Sequence, residues 1–268
     1  MRGEVHAEAP FASLWRDVDP FDWLEAIPGE VYRDLPDRRT FRFELAGTGY
    51  FAKLHRGVGW GEILKNLLSL RLPVVDARRE QRAIAALTAA GVPTLQAVAW
   101  GVRGLDPARR RSFIITREVS TQCSVDHLAR EWGARGRAAP LVKRTLIRQV
   151  AQLAQRMHAA GVNHRDFYIV HLLMPGTPGD DDALVVIDLH RAQLRGRVPR
   201  RWLVKDLGSL LFSAMVAPLT RGDRLRFIAA YRGRPVRVVL ASEAGLWRAV
   251  ERRAQRLWAE GLRKGVVP

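Results

Sequence analysis

The feature that most constrains the fold is a polar tetrapeptide placed directly after a long amphipathic segment. The spacing of apolar residues predicts a helix over Leu141–Ala160. These residues recur at three- and four-residue steps: Leu146, Val150, Leu153 and Met157. Gly161 follows as a C-terminal cap, and Asn163–Asp166 then reads Asn-His-Arg-Asp. His-Arg-Asp can arise by chance, so its weight depends on what else the chain carries.

A lysine inside an apolar strand is the second feature. Two short runs, Phe41–Leu45 and Tyr50–Leu54, are separated by Ala-Gly-Thr-Gly, and this pattern predicts a hairpin. Lys53 lies in the second run, where a buried ammonium group requires an anionic partner. We expect that partner to be Glu80, on a helix predicted over Asp76–Ala90. An edge-strand lysine beside a solvated glutamate is the alternative.

A carboxylate near the end of a third apolar run is the next feature. The sequence predicts a strand over Leu184–Leu189, and Asp188 lies 22 residues after Asp166. A carboxylate in this position can bind Mg²⁺ that bridges nucleotide phosphates. Taken alone, Asp188 could equally cap a turn.

These pieces stand in the chain order that is typical of protein kinases, whose catalytic loop reads H-R-D-x-x-x-x-N. The order predicts ATP as the phosphate donor and Asp166 as the catalytic base. We expect nucleotide contacts from four residues of the first part of the chain: Lys53, Glu80, Gly47 and Gly49. One departure is His171, which occupies the position of the metal-binding Asn. It either ligates metal beside Asp188, contacts phosphate or is structural, and Mg²⁺, with Mn²⁺ as the alternative, prefers oxygen ligands.

The distribution of predicted elements gives the fold class. Residues 1–119 are rich in predicted strands, and residues 120–268 are rich in predicted helices, the last of them over about Glu243–Leu262. We therefore expect an α+β, bilobal protein-kinase-like fold. The N-terminal lobe would bind nucleotide phosphates, and the helical C-terminal lobe would carry the catalytic and metal loops on the substrate side.

Charge indicates the kind of partner. The chain carries 44 Lys and Arg against 27 Asp and Glu, a net charge of +17, which favours anionic partners. The alternative is that arginine is frequent throughout the chain and is spread over a solvated surface, which would give the same net charge without a specific anionic partner. A single cysteine, Cys123, fits a reducing compartment. With neither a signal peptide nor a run of about 20 apolar residues, we expect a cytoplasmic protein, peripheral to a membrane at most.

The last predicted helix is basic on one side. Four arginines lie around its polar face: Arg248, Arg252, Arg253 and Arg256. Such a helix can lie on an anionic membrane or bind an acidic protein. It can also simply pack on the lobe with a solvated arginine face.

Long sequence blocks add a family resemblance. Residues 50–63 (YFAKLHRGVGWGEI), 163–171 (NHRDFYIVH), 186–192 (VIDLHRA) and 201–207 (RWLVKDL) closely resemble the lipopolysaccharide core heptose(I) kinases of Gram-negative bacteria. The resemblance spans roughly residues 20 to 230. His171 matches that family's own form of the loop.

The resemblance implies ATP-dependent phosphorylation of a heptose hydroxyl in the inner core, at the cytoplasmic face of the inner membrane. It implies Lys53 and Glu80 as the phosphate-binding pair, Asp166 as base and Asp188 as metal ligand. Asp206 would hydrogen-bond the catalytic loop, or would be a helix N-terminal charge. Candidate contacts to the anionic lipopolysaccharide precursor flank these motifs: His55, Arg56, Arg165 and Arg191. An acidic protein or lipid partner is a further expectation, and no specific nucleic acid is expected.

Two rival interpretations remain open at this stage. One is another sugar or small-molecule kinase of the same fold, such as a Kdo kinase or an antibiotic phosphotransferase. The other is a non-catalytic basic protein that binds a membrane or nucleic acid and has lost a working kinase site. His171 gives the second interpretation its support.

Overall fold

A computed structural model describes residues 3–68, 76–121, 123–178 and 184–265. The chain divides into two compact units. The first comprises Met1–Ile84 and Leu95–Val119, and the second comprises Ala85–Thr94 and Ser120–Pro268. All of residues 1–119 were predicted to form one lobe, whereas residues 85–94 group with the second unit. Hydrogen bonds to Val186 hold the end of this segment in the second unit, because Val186 N donates to Pro93 O at 3.1 Å and Thr94 Oγ1 donates to Val186 O at 2.8 Å.

The elements of the first unit in chain order are β1 Glu4–Ala7, α1 Phe11–Leu14, α2 Pro20–Ala26, β2 Glu30–Leu35, β3 Arg38–Leu45, β4 Thr48–His55, α3 Gly59–Leu68, α4 Arg78–Ala89, β5 Ala97–Arg103 and β6 Arg111–Arg117. The six strands form one antiparallel sheet in the order β1-β5-β6-β4-β3-β2. The division between the units falls within α4.

Aromatic side chains form the core of the first unit. Residues of β3 and β4 alternate between buried and less buried positions, as expected for a sheet with one packed face. Helices α1 and α2 cover that face with aromatic rings. The fully or nearly buried aromatic members of this core are Phe11, Trp15, Phe21, Phe41, Phe43, Tyr50 and Phe113.

The predicted hairpin is confirmed, with longer strands and a tighter turn than expected. β3 and β4 pair from Arg38–His55 to Leu45–Thr48, so only Ala46 and Gly47 form the loop. Their φ angles are 50° and 73°. Two central residues at positive φ match the twist of the strands in a two-residue hairpin, and Gly47 adopts this conformation without steric cost.

The second unit is mostly helical. Its elements are β7 Cys123–Ser124, α5 Val125–Arg135, α6 Pro140–Ala159, β8 Val162–Asn163, β9 Leu172–Met174, β10 Val185–Val186, β11 Gln193–Leu194, α7 Arg200–Ala214, α8 Arg221–Arg232 and α9 Val236–Arg263. β10, β9 and β7 form one small sheet, and β11 pairs with β8. The predicted helix after residue 140 is confirmed as α6, and its predicted apolar stripe is buried: Leu146, Val150, Leu153 and Met157.

Two predicted element bounds in this unit are wrong. The expected strand Leu184–Leu189 is reduced to β10, Val185–Val186. It stops because Asp188 has a left-handed backbone with φ 62° and Leu189–Arg191 forms a 3₁₀ turn. The last helix begins at Val236 rather than near Glu243. It starts directly after Pro235, which is the N-cap residue, and Val239 in its first turns is buried, so burial outweighs the poor helix propensity of its β-branched first residues.

Candidate active site

The first unit provides a buried ion pair. Lys53 lies on β4 opposite Thr40 and Ile114, and its Nζ is 2.7 Å from Oε1 of Glu80 on α4. The Glu80 side chain is only 2% exposed, and that of Lys53 is 15% exposed. A buried carboxylate is tolerated only with a partner, so the pair holds the lysine ammonium at a fixed point of the sheet. The pairing expected between these two residues is therefore present.

The two candidate glycines occupy different environments. Gly47 lies at the tip of the hairpin, where a Cβ would meet no atom within 4 Å. Gly49 lies within β4, where a Cβ would overlap the carboxylate of Glu118. Arg42 holds that carboxylate through two 2.8 Å hydrogen bonds. Gly49 thus makes room for an ion pair across the sheet, and nucleotide contact by either glycine stays a prediction.

His55 and Arg56 have structural contacts within the first unit. His55 is 6% exposed. The Arg56 guanidinium donates to Glu25 at 2.8 and 3.0 Å and to Asp34 at 3.2 Å. The hydrogen bond with Glu25 raises the pKa of Arg56, and the same bond lowers the pKa of Glu25. These contacts account for the position of Arg56 without a substrate, and the substrate role expected of His55 and Arg56 stays a prediction.

The catalytic loop belongs to the second unit and is tied to the segment that precedes Asp188. His164 is fully buried, and its Nε2–H donates to the carbonyl of Ile187 at 2.9 Å. Burial lowers the pKa of His164, so the ring is neutral near pH 7. The histidine of the His-Arg-Asp motif therefore fixes the spacing between the two loops that carry Asp166 and Asp188.

Asp206 on α7 holds the backbone of the same loop. Its carboxylate is fully buried and accepts from His164 N at 2.7 Å and from Arg165 N at 2.9 Å. Arg165 has a φ of 76°, a conformation that costs a non-glycine residue about 1–3 kcal/mol. The two charge-assisted hydrogen bonds that Asp206 accepts stabilise this strained turn. These are the hydrogen bonds that the sequence resemblance implied.

Asp166 follows this strained turn and is paired with an arginine. The Nη1 group of Arg191 is 3.1 Å from Asp166 Oδ1, and the two side chains are 37% and 18% exposed. Within the described part of the chain, Oδ2 of Asp166 accepts no hydrogen bond. One oxygen is therefore oriented by Arg191, while the other can accept a proton. Arg165 itself is buried, whereas Arg191 is half-exposed.

Asp188 lies between two histidines. His190 Nδ1 is 2.7 Å from Asp188 Oδ1, and His171 Nε2 is 3.6 Å from Asp188 Oδ2. His171 Nδ1 donates to the carbonyl of Asp166 at 2.8 Å, which leaves the lone pair of a neutral His171 on Nε2. His190 was not among the residues predicted from the sequence, although it stands within the 186–192 block.

The Asp188 surroundings fit a divalent cation. A lone pair on His171 Nε2 facing a carboxylate oxygen at 3.6 Å is unfavourable unless a proton or a cation lies between them. The described residues contain no group of three or more His, Cys, Asp or Glu side chains arranged to hold a metal. Magnesium in phosphotransferases is held by one or two carboxylates together with substrate phosphates, so a pair of protein ligands suits it.

A large cavity in the second unit is separate from these residues. It has a volume of about 680 Å³ and is lined mainly by apolar side chains of α5 to α9, among them Trp132, Leu207, Phe227 and Trp247. Neither Asp166 nor Asp188 lines it.

An antiparallel sheet with a buried Lys–Glu pair, and a helical unit with a tethered His-Arg-Asp loop, are the parts of a protein-kinase-like phosphotransferase. The model of the lipopolysaccharide kinase (Kdo/WaaP) family matches residues 22–231, and the chain belongs to this family. The α+β kinase-like fold class and the kinase activity expected from the sequence are confirmed.

Relatives and a solved structure agree with the family assignment. The chain is 50% identical to the lipopolysaccharide core heptose(I) kinase WaaP of Pseudomonas aeruginosa, over 96% of this chain and 97% of the relative. It is 46% identical to the protein of the same name from Escherichia coli, over 98% and 100%. A solved structure titled WaaP in complex with acyl carrier protein superposes with a TM-score of 0.80, at 45% identity, covering 96% of this chain and all of that one.

The described helices include none with the length and apolar character needed to cross a membrane.

Proposed function

We propose that this protein transfers the γ-phosphoryl group of ATP to a hydroxyl of heptose I in the lipopolysaccharide inner core. The observation that carries the proposal is 50% identity, over nearly the full length of both chains, to a relative named for that activity. A second relative of the same name, from Escherichia coli strain K12, is 44% identical over 98% of this chain.

In the proposed reaction, Asp166 accepts the proton of the heptose hydroxyl. The hydroxyl oxygen then forms a bond to the γ-phosphorus of ATP, the bond from that phosphorus to the β–γ bridging oxygen breaks, and ADP leaves. Arg191 orients the carboxylate through the 3.1 Å contact with Oδ1. Asp206 keeps the loop in place, because it binds the amides of His164 and Arg165.

The nucleotide is proposed to bind through Lys53, whose ammonium is oriented by Glu80 at 2.7 Å, with the Gly47 turn near the phosphates. Asp188 and His171 would hold Mg²⁺, or Mn²⁺ in its place. When bound, the metal supplies charge neutralisation of the phosphate oxygens. The lone pair of His171 Nε2 beside Asp188 supports this ligand pair.

The partners follow from charge. Lipopolysaccharide precursors are anionic, and the net charge of +17 on this chain would favour their binding. We propose that the protein works where such precursors are made, on the cytoplasmic face of the inner membrane, with peripheral contact at most. The solved relative is titled as a complex with acyl carrier protein. That title supports an acidic protein partner, which would bind by charge complementarity and would be released at high salt.

The test is phosphate incorporation from labelled ATP into core oligosaccharides that carry or lack heptose I, with Mg²⁺, with Mn²⁺ and with neither. The proposal predicts incorporation into the heptose-bearing acceptor alone, with the product mapped to a heptose hydroxyl. Incorporation into an acceptor that ends before the heptose would point instead to phosphorylation of another sugar, such as Kdo.

A further inference from the structure

Four cationic side chains surround one indole ring in the second unit. The charged groups lie close to the Trp202 ring centroid: Lys205 at 5.1 Å, Arg165 at 5.5 Å, Arg195 at 5.5 Å and Arg201 at 5.7 Å. They come from the catalytic loop, from the segment after β11 and from α7. We call these five residues the Trp202 cluster. Attraction to the face of the indole offsets part of their mutual repulsion and keeps them together.

Three of the four cations of the Trp202 cluster, Arg195, Arg201 and Lys205, are poorly compensated among the described residues. Among the described residues, Arg201 and Lys205 form no ion pair with a carboxylate, and Arg195 donates to the neutral side chains Asn163 and Gln193. Burial lowers the pKa of Lys205, and the nearby charges of Arg165 and Arg191 lower it further. Such an arrangement is stabilised by an incoming anion.

The start of α7 adds positive potential. Its N-cap is Pro199, which offers no side-chain hydrogen bond, and its first turn contains no acidic residue. The positive end of a helix dipole disfavours cations, yet Arg201 lies in the first turn and Lys205 one turn later. The positive end of the α7 dipole and the cations beside it both favour a bound anion.

The Trp202 cluster adjoins the proposed base. Arg165 directly precedes Asp166. Arg191 contacts Asp166 at 3.1 Å, and its charge is near enough to Lys205 to lower the pKa of that lysine. All of these residues belong to the second unit. An anion bound in the cluster would therefore lie next to the hydroxyl that Asp166 deprotonates.

We propose that the Trp202 cluster binds an anionic sugar residue of the acceptor, bearing carboxylate or phosphate oxygens, that neighbours the phosphorylated sugar. This inference rests on the proposed function, because it assigns the cluster to the acceptor. Arginine forks suit carboxylate and phosphate oxygens alike. Binding the neighbouring charge would hold the acceptor next to Asp166.

The test compares Arg201→Gln and Lys205→Gln with a matched control, Arg200→Gln. Arg200 has the same charge and stands in the same helical turn, but its guanidinium lies beside Gly245 of α9 rather than at Trp202. The probe is lipid-free core oligosaccharide in four forms: native, carboxyl-reduced, dephosphorylated, and with both treatments. Calorimetry gives Kd for each form, phosphate transfer gives KM and kcat, and thermal unfolding verifies that each variant is folded.

We expect either cluster variant to raise the Kd and KM for the native oligosaccharide about tenfold, with kcat for saturating acceptor and KM for ATP little changed. The doubly neutralised oligosaccharide should bind wild type and variants alike, and Arg200→Gln should behave as wild type. Whichever single treatment removes the difference identifies the anion as carboxylate or phosphate.

Three results would overturn the inference: equal losses on the native and neutralised oligosaccharides, a change confined to ATP or to the control variant, or wild-type protein that binds no form. If the native oligosaccharide binds with the expected variant pattern but heptose is not phosphorylated, the proposed function fails while the anion site is supported. Because binding is measured apart from turnover, the two failures are distinguishable.

Discussion

Replacing Asp206 by Asn tests how the catalytic loop is held. The substitution keeps the shape of the side chain but turns one acceptor oxygen into an NH₂ group that faces a backbone N–H. One of the two bonds, from His164 N at 2.7 Å or from Arg165 N at 2.9 Å, must then be lost.

The size of the effect follows from these contacts. A hydrogen bond to a buried charge contributes about 1.5–3 kcal/mol, and the left-handed conformation of Arg165, at φ 76°, costs about 1–3 kcal/mol when nothing offsets it. Loss of one bond therefore shifts the equilibrium between the native and a relaxed loop by up to about 3 kcal/mol. At about 1.4 kcal/mol per tenfold change, the ratio of native to relaxed loop falls by up to about a hundredfold. We expect kcat to fall by up to about a hundredfold and KM for ATP to change little.

Asp223→Asn is the matched control. Asp223 is also a buried carboxylate of the second unit, but it caps α8 through Thr220 and pairs with Lys143 at 2.8 Å. Both variants should lower the free energy of unfolding measured with urea, and only Asp206→Asn should lower kcat at a temperature where both are folded. Equal losses of kcat in the two variants, or an unchanged kcat in Asp206→Asn, would refute the reasoning.

Two further predictions concern buried carboxylates. Glu80→Gln removes the charge that orients Lys53, whose Nζ lies 2.7 Å from it, so KM for ATP should rise about tenfold or more, as measured by initial rates; an unchanged KM would contradict the assigned role. Burial alone would raise the pKa of Asp223, but hydrogen bonds from Lys143 and Thr220 outweigh it and lower the pKa to about 2 from 3.8. Because the pKa of Asp223 is lower in the folded than in the unfolded protein, its ionised carboxylate stabilises the fold at pH values above the unfolded pKa, and this contribution is lost as the pH falls towards the folded pKa. Relative to Asp223→Asn, the free energy of unfolding of the wild type should therefore fall by about 2 kcal/mol between pH 5 and pH 2. Urea unfolding at several pH values measures this, and a constant difference would count against it.

The local part of the site could be predicted from sequence because its signals are short in range. Lys53 stands in an apolar strand, and Glu80 lies in the first turn of α4, within the helix predicted over Asp76–Ala90, so an acidic partner for the lysine was available there. The helix before Gly161 and the hairpin around Gly47 followed from periodicity and turn chemistry. The role of Asp206 was predicted from the family resemblance alone. Asp206 lies 42 residues from His164, and the local sequence pattern around either residue does not indicate that the two are in contact.

What could not be predicted depends on loop conformation and tertiary packing. The strand expected over Leu184–Leu189 ends early because Asp188 adopts a left-handed backbone, which nothing in the composition of that run requires. The ion pair of Arg56 with Glu25, 31 residues away, likewise depends on how the chain folds, and the substrate contact expected of Arg56 stays a prediction. The Trp202 cluster joins residues from three separate segments, and only the fold brings them together.

Asp166 is proposed to be the base of phosphoryl transfer to a sugar hydroxyl, and every other assigned role depends on this one. The most direct measurement is single-turnover transfer from labelled ATP to heptose-bearing core oligosaccharide by Asp166→Ala, with ATP binding and thermal unfolding recorded on the same preparation. We predict a loss of at least about a hundredfold while ATP binding and the folded state are retained. A folded Asp166→Ala protein that transfers phosphate at the wild-type rate would contradict the account.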